Sequence, residues 1–174
     1  EAALIAVSQL PAPRQYGAQI AFVNPFGIRT SLVPAADGTV TFGQIYAVTP
    51  FNNQVVTMTL TGAQIRATIE QGLDDSGDKQ VLAPSEGMKI AFDMHRPSGS
   101  RVTAIALDGK PLDPAKRYRV SVVNFLAEGG DGFAGFKDGT ERVNGPIDIE
   151  AFEDWLAAVP MRKVPAEDRT TQAK

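Results

Sequence analysis

Tyr118-Arg-Val-Ser-Val-Val-Asn-Phe-Leu-Ala-Glu-Gly-Gly-Asp-Gly-Phe133 is the stretch that orients the rest of the chain. Its first half, Tyr118 to Val123, is apolar and rich in β-branched residues, which predicts a buried strand. The strand runs into a loop with three glycines, two carboxylates and two aromatics. Glycine at such a place permits positive φ and lets a ligand approach the backbone. Asp131 stands between Gly130 and Gly132 with little bulk beside it and is able to accept two hydrogen bonds from a diol such as a ribose. Phe125, just past the strand, offers a flat face to a planar ring. The plainer alternative is a glycine-rich turn with Phe125 in the core.

Two more strand-edge loops carry comparable groups. Asn24-Pro25-Phe26-Gly27-Ile28-Arg29 follows the apolar run Ala18 to Val23, and Thr49-Pro50-Phe51-Asn52-Asn53 precedes the alternating run Gln54 to Leu60. Together the loops supply aromatic rings, an arginine, carboxamides and an acid. That set suits a nucleotide: rings for a base, an acid for a sugar, an arginine for a phosphate.

The order and spacing of these segments resemble the C-terminal domain of the 5′-nucleotidase and UDP-sugar hydrolase family. The resemblance rests on NPFGIR at 24–29, GTVTFGQIYAVTPFNNQVVTMTLTGAQI at 38–65, LDGKPLDPAKRYRV at 107–120 and NFLAEGGDGF at 124–133. It implies that Phe51 and Phe125 clamp the base and that Asp131 binds the ribose beside Gly130. It further implies that Arg29 faces the phosphate, with Asn24 near the nucleoside and Asn53 at a base-contacting position found in some members. The partner it implies is a nucleoside 5′-monophosphate or related nucleotide. Hydrolysis would take place on a separate N-terminal metallophosphoesterase domain carrying two divalent metal ions, so this chain alone is expected to be inactive and to hold no cofactor. The implied location is periplasmic or secreted. Alternatives are a domain of a 2′,3′-cyclic-nucleotide phosphodiesterase/3′-nucleotidase and a non-enzymatic binding module with a degenerate site.

Departures from the family pattern motivate the last alternative. The pattern Asn-x-Gly-Gly-Ile-Arg has Phe26 where a glycine is usual, and Asn52 also stands in a glycine position. An arginine that helps bind substrate in the family would lie ahead of Glu1.

Composition narrows the remaining classes. The 174 residues carry a formal net charge of −3, which gives no support for a polymeric nucleic acid or an anionic membrane as partner. With no cysteine and one histidine, disulfides, thiolate sites and a His-rich catalytic zinc site are excluded. His95 reads as an exposed turn residue. No apolar run approaches the ~20 residues of a membrane span. No basic segment followed by an apolar one opens the sequence, so the chain is expected to begin within a mature protein or an excised fragment.

The remaining elements follow from periodicity and capping. Residues 1–10 read as a short helix. Thr41 and Thr61, each with Gln three residues later, predict capping boxes for helices over 42–48 and from 62. Gln54 to Leu60, Met88 to Phe92, Val102 to Leu107 and Arg117 to Val123 read as strands. Asp37-Gly38 marks a turn between possible short strands, and Asp108-Gly109 a hairpin. Asp148 is expected to cap a helix carrying Ile149, Phe152 and Leu156. Strands and helices alternate irregularly, which predicts an α+β fold: one domain over residues 1–160 with a mixed or antiparallel sheet and packed helices, then a polar, frayed tail over 161–174.

Overall fold

A computed structural model of the chain describes residues 17–75, 77, 79–158 and 168–173. The helix expected over residues 1–10 lies outside them. Within them the fold is α+β, with strands β1 (Ile20–Val23), β2 (Gln54–Thr61), β3 (Ala83–Pro84), β4 (Met88–Phe92), β5 (Val102–Leu107), β6 (Lys110–Pro111), β7 (Arg117–Val123), β8 (Thr140–Ile147) and β9 (Thr170–Gln172). The α-helices are α1 (Phe42–Val48), α2 (Gly62–Gln71), α3 (Asn124–Ala127) and α4 (Asp148–Ala157), with short 3-10 turns at Pro25–Gly27, Gly130–Gly132 and Ala134–Asp138.

The strands form two sheets, one in the order β3-β1-β7-β2-β8 and the other β6-β5-β4-β9. In the larger sheet β1 and β7 are parallel, and β7, β2 and β8 follow one another antiparallel. Val56, Met58 and Leu60 of β2, with Ile20, Phe22, Val120 and Val122, fill the main core, where they meet Ile65, Ile69 and Leu73 of the α2 segment and Ile90, Phe92 and Ile105 of the second sheet. The other side of the larger sheet carries a second core, in which Val23 packs with Ile45 and Val48 of α1 and Ile149, Phe152 and Trp155 of α4. The sheet is therefore covered on both faces, and even Thr57 and Ser121 are buried, where their hydroxyls hydrogen-bond across the strands at 2.8 Å.

Both capping boxes form. Thr41 and Thr61 accept from the backbone N–H of Gln44 and Gln64, whose side chains accept from the cap residues' own N–H groups. At Asp148 the expectation fails in detail: Ile147 occupies the cap position, and Asp148 is the first helical residue. The Asp37-Gly38 turn has no strands beside it. Within the supposed loop over 74–87, Ala83 and Pro84 pair with β1 at the sheet margin, where proline's missing N–H costs nothing.

The tail also differs from expectation. Thr170–Gln172 pairs parallel with β4, and Arg169 is buried with its Nη1 donating to the Pro84 carbonyl at 3.2 Å. The polar composition of this segment hid a strand, because pairing at a free sheet edge needs only main-chain groups.

Candidate functional site

The topology brings four distant segments to one end of the larger sheet. Parallel pairing of β1 and β7 puts Val23 and Val123 at the same end. β2 runs the other way, so its start lies there too, with Val55 opposite Val123. β8 reverses again, setting Ile147 opposite Gln54. Each strand hands over to a loop or helix at this end: 24–29 after β1, 49–53 before β2, 124–131 after β7 and Asp148 after β8. Between them lies a cleft of about 430 Å³.

Asn24, Arg29, Phe51, Asn53, Phe125 and Asp131 all line it, together with Phe26, Thr49 and Asp148. Phe51 and Phe125 are 47% and 46% exposed, which rules out the core alternative for both rings. Phe125 reaches solvent because α3 turns Leu126 and Ala127 into the core. The Asn124 side chain accepts from Gln54 N at 3.2 Å, tying the two aromatic loops together.

Gly130 does not line the cleft; it supports it. A β-carbon at Gly130 would lie 2.5 Å from the Phe125 ring, so the ring rests on bare backbone. Asp131 takes a left-handed backbone (φ 52°) and receives a 2.6 Å hydrogen bond from Nδ2 of Asn24. Asn24 is itself buried, 5% exposed, so it holds the carboxylate from below while Asp131 faces outward. Gly27 permits this fold of the Asn24 side chain, since a β-carbon there would meet Asn24 Oδ1 at 2.9 Å.

The two departures from the family pattern have local explanations. Asn52 adopts φ 51°, the left-handed region where asparagine is better tolerated than most residues, so the backbone shape is kept without glycine. Phe26 has no positive φ to accommodate and stands 47% exposed on the cleft wall. Arg29 lies over Phe51, its guanidinium carbon 5.9 Å from the ring centroid, and donates a long 3.4 Å hydrogen bond to the Phe26 carbonyl.

Sequence reasoning missed two residues here. Arg142 pins the glycine-rich loop: Nη1 donates to Glu128 Oε1, Nη2 to the carbonyls of Ala127, Phe136 and Lys137, and Nε to that of Gly139. Asp148, 1% exposed, forms part of the cleft floor. Its Oδ1 accepts from Ile149 N at 2.8 Å and its Oδ2 from the Thr49 hydroxyl at 3.4 Å, and its main-chain N–H donates to the Asn53 carbonyl at 2.8 Å. The one hint in the sequence is an acid set between two isoleucines.

Burial raises the Asp148 carboxyl from 3.8 to about 6, against the opposing pull of its hydrogen bonds. The folded state thus holds this proton more tightly than the unfolded chain does. Its contribution to stability is full below pH 4 and is lost as the pH rises through about 6. Relative to Asp148→Asn, which has no proton to lose, the wild-type chain is expected to lose about 3 kcal/mol across that window. Urea unfolding of both proteins at a series of pH values checks this; a flat difference would refute it.

Comparison with known proteins gives the chain's family. The family described as 5′-nucleotidase, C-terminal domain, matches residues 2–138. The chain belongs to that family. An apyrase of Aedes aegypti is 33% identical over 137 residues, covering 72% of this chain and 24% of the apyrase. The trifunctional nucleotide phosphoesterase protein YfkN of Bacillus subtilis is 31% identical over 147 residues, or 80% of this chain and 10% of that protein. Among solved structures, the 5′-nucleotidase precursor of Thermus thermophilus superposes with a TM-score of 0.86 at 37% identity, over 98% of this chain and 34% of that one. This 5′-nucleotidase C-terminal domain thus spans about a third or less of each of these relatives. Among its described residues no group of three or more His, Cys, Asp or Glu is placed to hold a metal ion, and no helix is long and apolar enough to cross a membrane.

Proposed function

We propose that this domain is the nucleotide-recognition part of a 5′-nucleotidase-type phosphohydrolase. In this reading Phe51 and Phe125 hold the base, Asp131 accepts from the ribose hydroxyls and Arg29 meets the phosphate. The observation that carries it is the convergence of two half-exposed phenyl rings, a backed carboxylate and an arginine on one cleft. An apolar ring left in water gains nothing for folding but has a face to offer a base. Arginine suits the phosphate because its planar fork pairs with phosphate oxygens and stays charged. Its position over Phe51 supports a phosphate held beside the base.

The chemistry belongs to a metallophosphoesterase domain elsewhere in the full protein, where two divalent ions would activate water and stabilise the leaving oxygen. The recognition domain presents the phosphate to them and hydrolyses nothing alone. A periplasmic or secreted location fits this role, in company with relatives named as snake venom 5′-nucleotidases.

A backbone NMR titration of the chain with adenosine and with AMP tests the reading. Localised shifts at Phe51, Phe125 and Asp131 are expected with both ligands. AMP should bind about tenfold more tightly than adenosine, for one charge-assisted contact, and Arg29→Ala should remove that advantage. Absence of any localised shift up to millimolar ligand would overturn the assignment of this cleft.

A further inference from the structure

β8 carries a bulge beside Arg142. Val143 stands opposite Thr57 and Thr140 opposite Thr59, so three steps along β8 answer two along β2. Glu141, inside the bulge, takes a left-handed backbone with φ 51°. Bulges of this kind turn a side chain away from the direction that plain pleating would give it. Here the next side chain is that of Arg142, and its guanidinium spans both ends of the glycine-rich loop. At the entry it donates to the Ala127 carbonyl and to Glu128 Oε1. At the exit it donates to the carbonyls of Phe136, Lys137 and Gly139. Asp131 lies between the two ends.

That middle section needs such a clasp. Residues 128–132 bury no side chain; core packing ends at Ala127 on the way in and resumes at Phe133 on the way out. The turns within the loop close locally, Gly129 N onto the Leu126 carbonyl and Phe133 N onto that of Gly130. Asp131 keeps φ 52°, a conformation that a residue other than glycine holds where its surroundings enforce it. Asn24 enforces it at the carboxylate, through the 2.6 Å hydrogen bond to Oδ2. Arg142 enforces it through the main chain, and it does not itself line the cleft. Its ion pair with Glu128 is exposed and contributes little; the carbonyl contacts at both ends make the clasp.

We infer that Arg142 is a positioning residue that fixes Asp131 for a ribose diol, so that the site's preference for ribose over 2′-deoxyribose depends on a side chain that touches no ligand. The inference rests on the nucleotide-recognition reading and adds to it the residue that sets sugar selectivity. A carboxylate bridging two hydroxyls requires both of its oxygens in place at once, so selectivity is lost through a small movement of the loop. Stacking on Phe51 and Phe125 is indifferent to the 2′-hydroxyl. One hydrogen bond to a charged acceptor corresponds to roughly ten- to a hundredfold in affinity.

Calorimetric titration with AMP and with 2′-deoxy-AMP tests it, since the two differ by one hydroxyl and share base and phosphate. The wild-type chain is expected to bind AMP about ten- to a hundredfold more tightly. Arg142→Met keeps the length of the side chain without its donors, and the preference should fall to about threefold or less. Arg142→Lys puts one ammonium in place of the fork and should recover part of the preference. Asp131→Ala should abolish the preference by itself, and adding Arg142→Met to it should change the ratio no further. An Arg142 that only stabilises the fold would weaken both ligands equally and leave their ratio alone. An unchanged ratio in Arg142→Met, or in Arg142→Lys should the first variant not fold, would overturn the inference while nucleotide binding stands. Failure of the wild-type chain to bind either ligand, or equal binding of both, would instead remove the reading beneath it.

Discussion

Replacing Glu70 with alanine is expected to cost about 4 kcal/mol of folding stability, the sum of two buried amides left without partners at roughly 1–3 kcal/mol each. Glu70 lies near the end of α2 and is buried. Its Oε1 accepts from Val102 N at 2.7 Å and its Oε2 from Arg101 N at 3.0 Å, which docks the helix onto the first residues of β5. Arg101 is buried beside it and is already committed, donating through Nη1 to the Leu73 carbonyl and through Nη2 to Asp75 Oδ1 at 2.8 Å. For a domain of this size the melting temperature should fall by on the order of 10 °C. Glu70→Gln retains one acceptor oxygen but turns an NH₂ toward the other amide, so it should recover only part of the loss. Thermal and urea unfolding of the three proteins checks both statements. An alanine variant within about 1 kcal/mol of wild type would show the amides finding other partners.

Removing both Phe51 and Phe125 is expected to weaken AMP binding by on the order of a thousandfold, from roughly 1–3 kcal/mol of stacking per ring. Either single alanine variant should lower the affinity about ten- to a hundredfold. Stability should hardly change, because both rings are about half exposed and leave no cavity. That combination separates a binding surface from a packing one. Gly130→Ala supplies a control that touches neither ring chemically: its methyl group would strike the Phe125 ring and lift it from its seat. It should therefore reproduce much of the Phe125→Ala defect. Calorimetric titration with AMP, paired with thermal melts, gives both quantities; undiminished affinity in the double variant would show that the rings are not the clamp.

Much of the architecture was legible because its signals are local. The two Thr-x-x-Gln boxes fixed the starts of α1 and α2, and period-2 alternation in Gln54 to Leu60 gave β2. What failed to show depends on partners distant in sequence. β8 reads Thr-Glu-Arg-Val-Asn-Gly-Pro-Ile, with no clean alternation and two residues that disfavour strands, and it pairs with β2 through register shifts. β9 is polar and takes its place from the free edge of β4. At the site, the aromatic and acidic loops, which the structure brings to one cleft, stood out by their residue types. Asp148 and Arg142 could not, since their roles come from where β8 delivers them: one beneath Asn53, the other against the carbonyls of residues 127–139.

The four-strand convergence also sets when the cleft can exist during folding. β1 and β7 pair across about a hundred residues of intervening chain, with Ile20 opposite Val120, and Asp148, which also lines the cleft, comes later still. Every such contact must first overcome the entropy of closing a long loop, and folds dominated by non-local pairing assemble slowly. On a ribosome making the chain from its N-terminus, Phe51 emerges long before the segments that complete the cleft. Until α4 has been made and docked, the nascent chain carries exposed rings and no pocket, so ligand can stabilise only the finished domain and cannot guide its early steps.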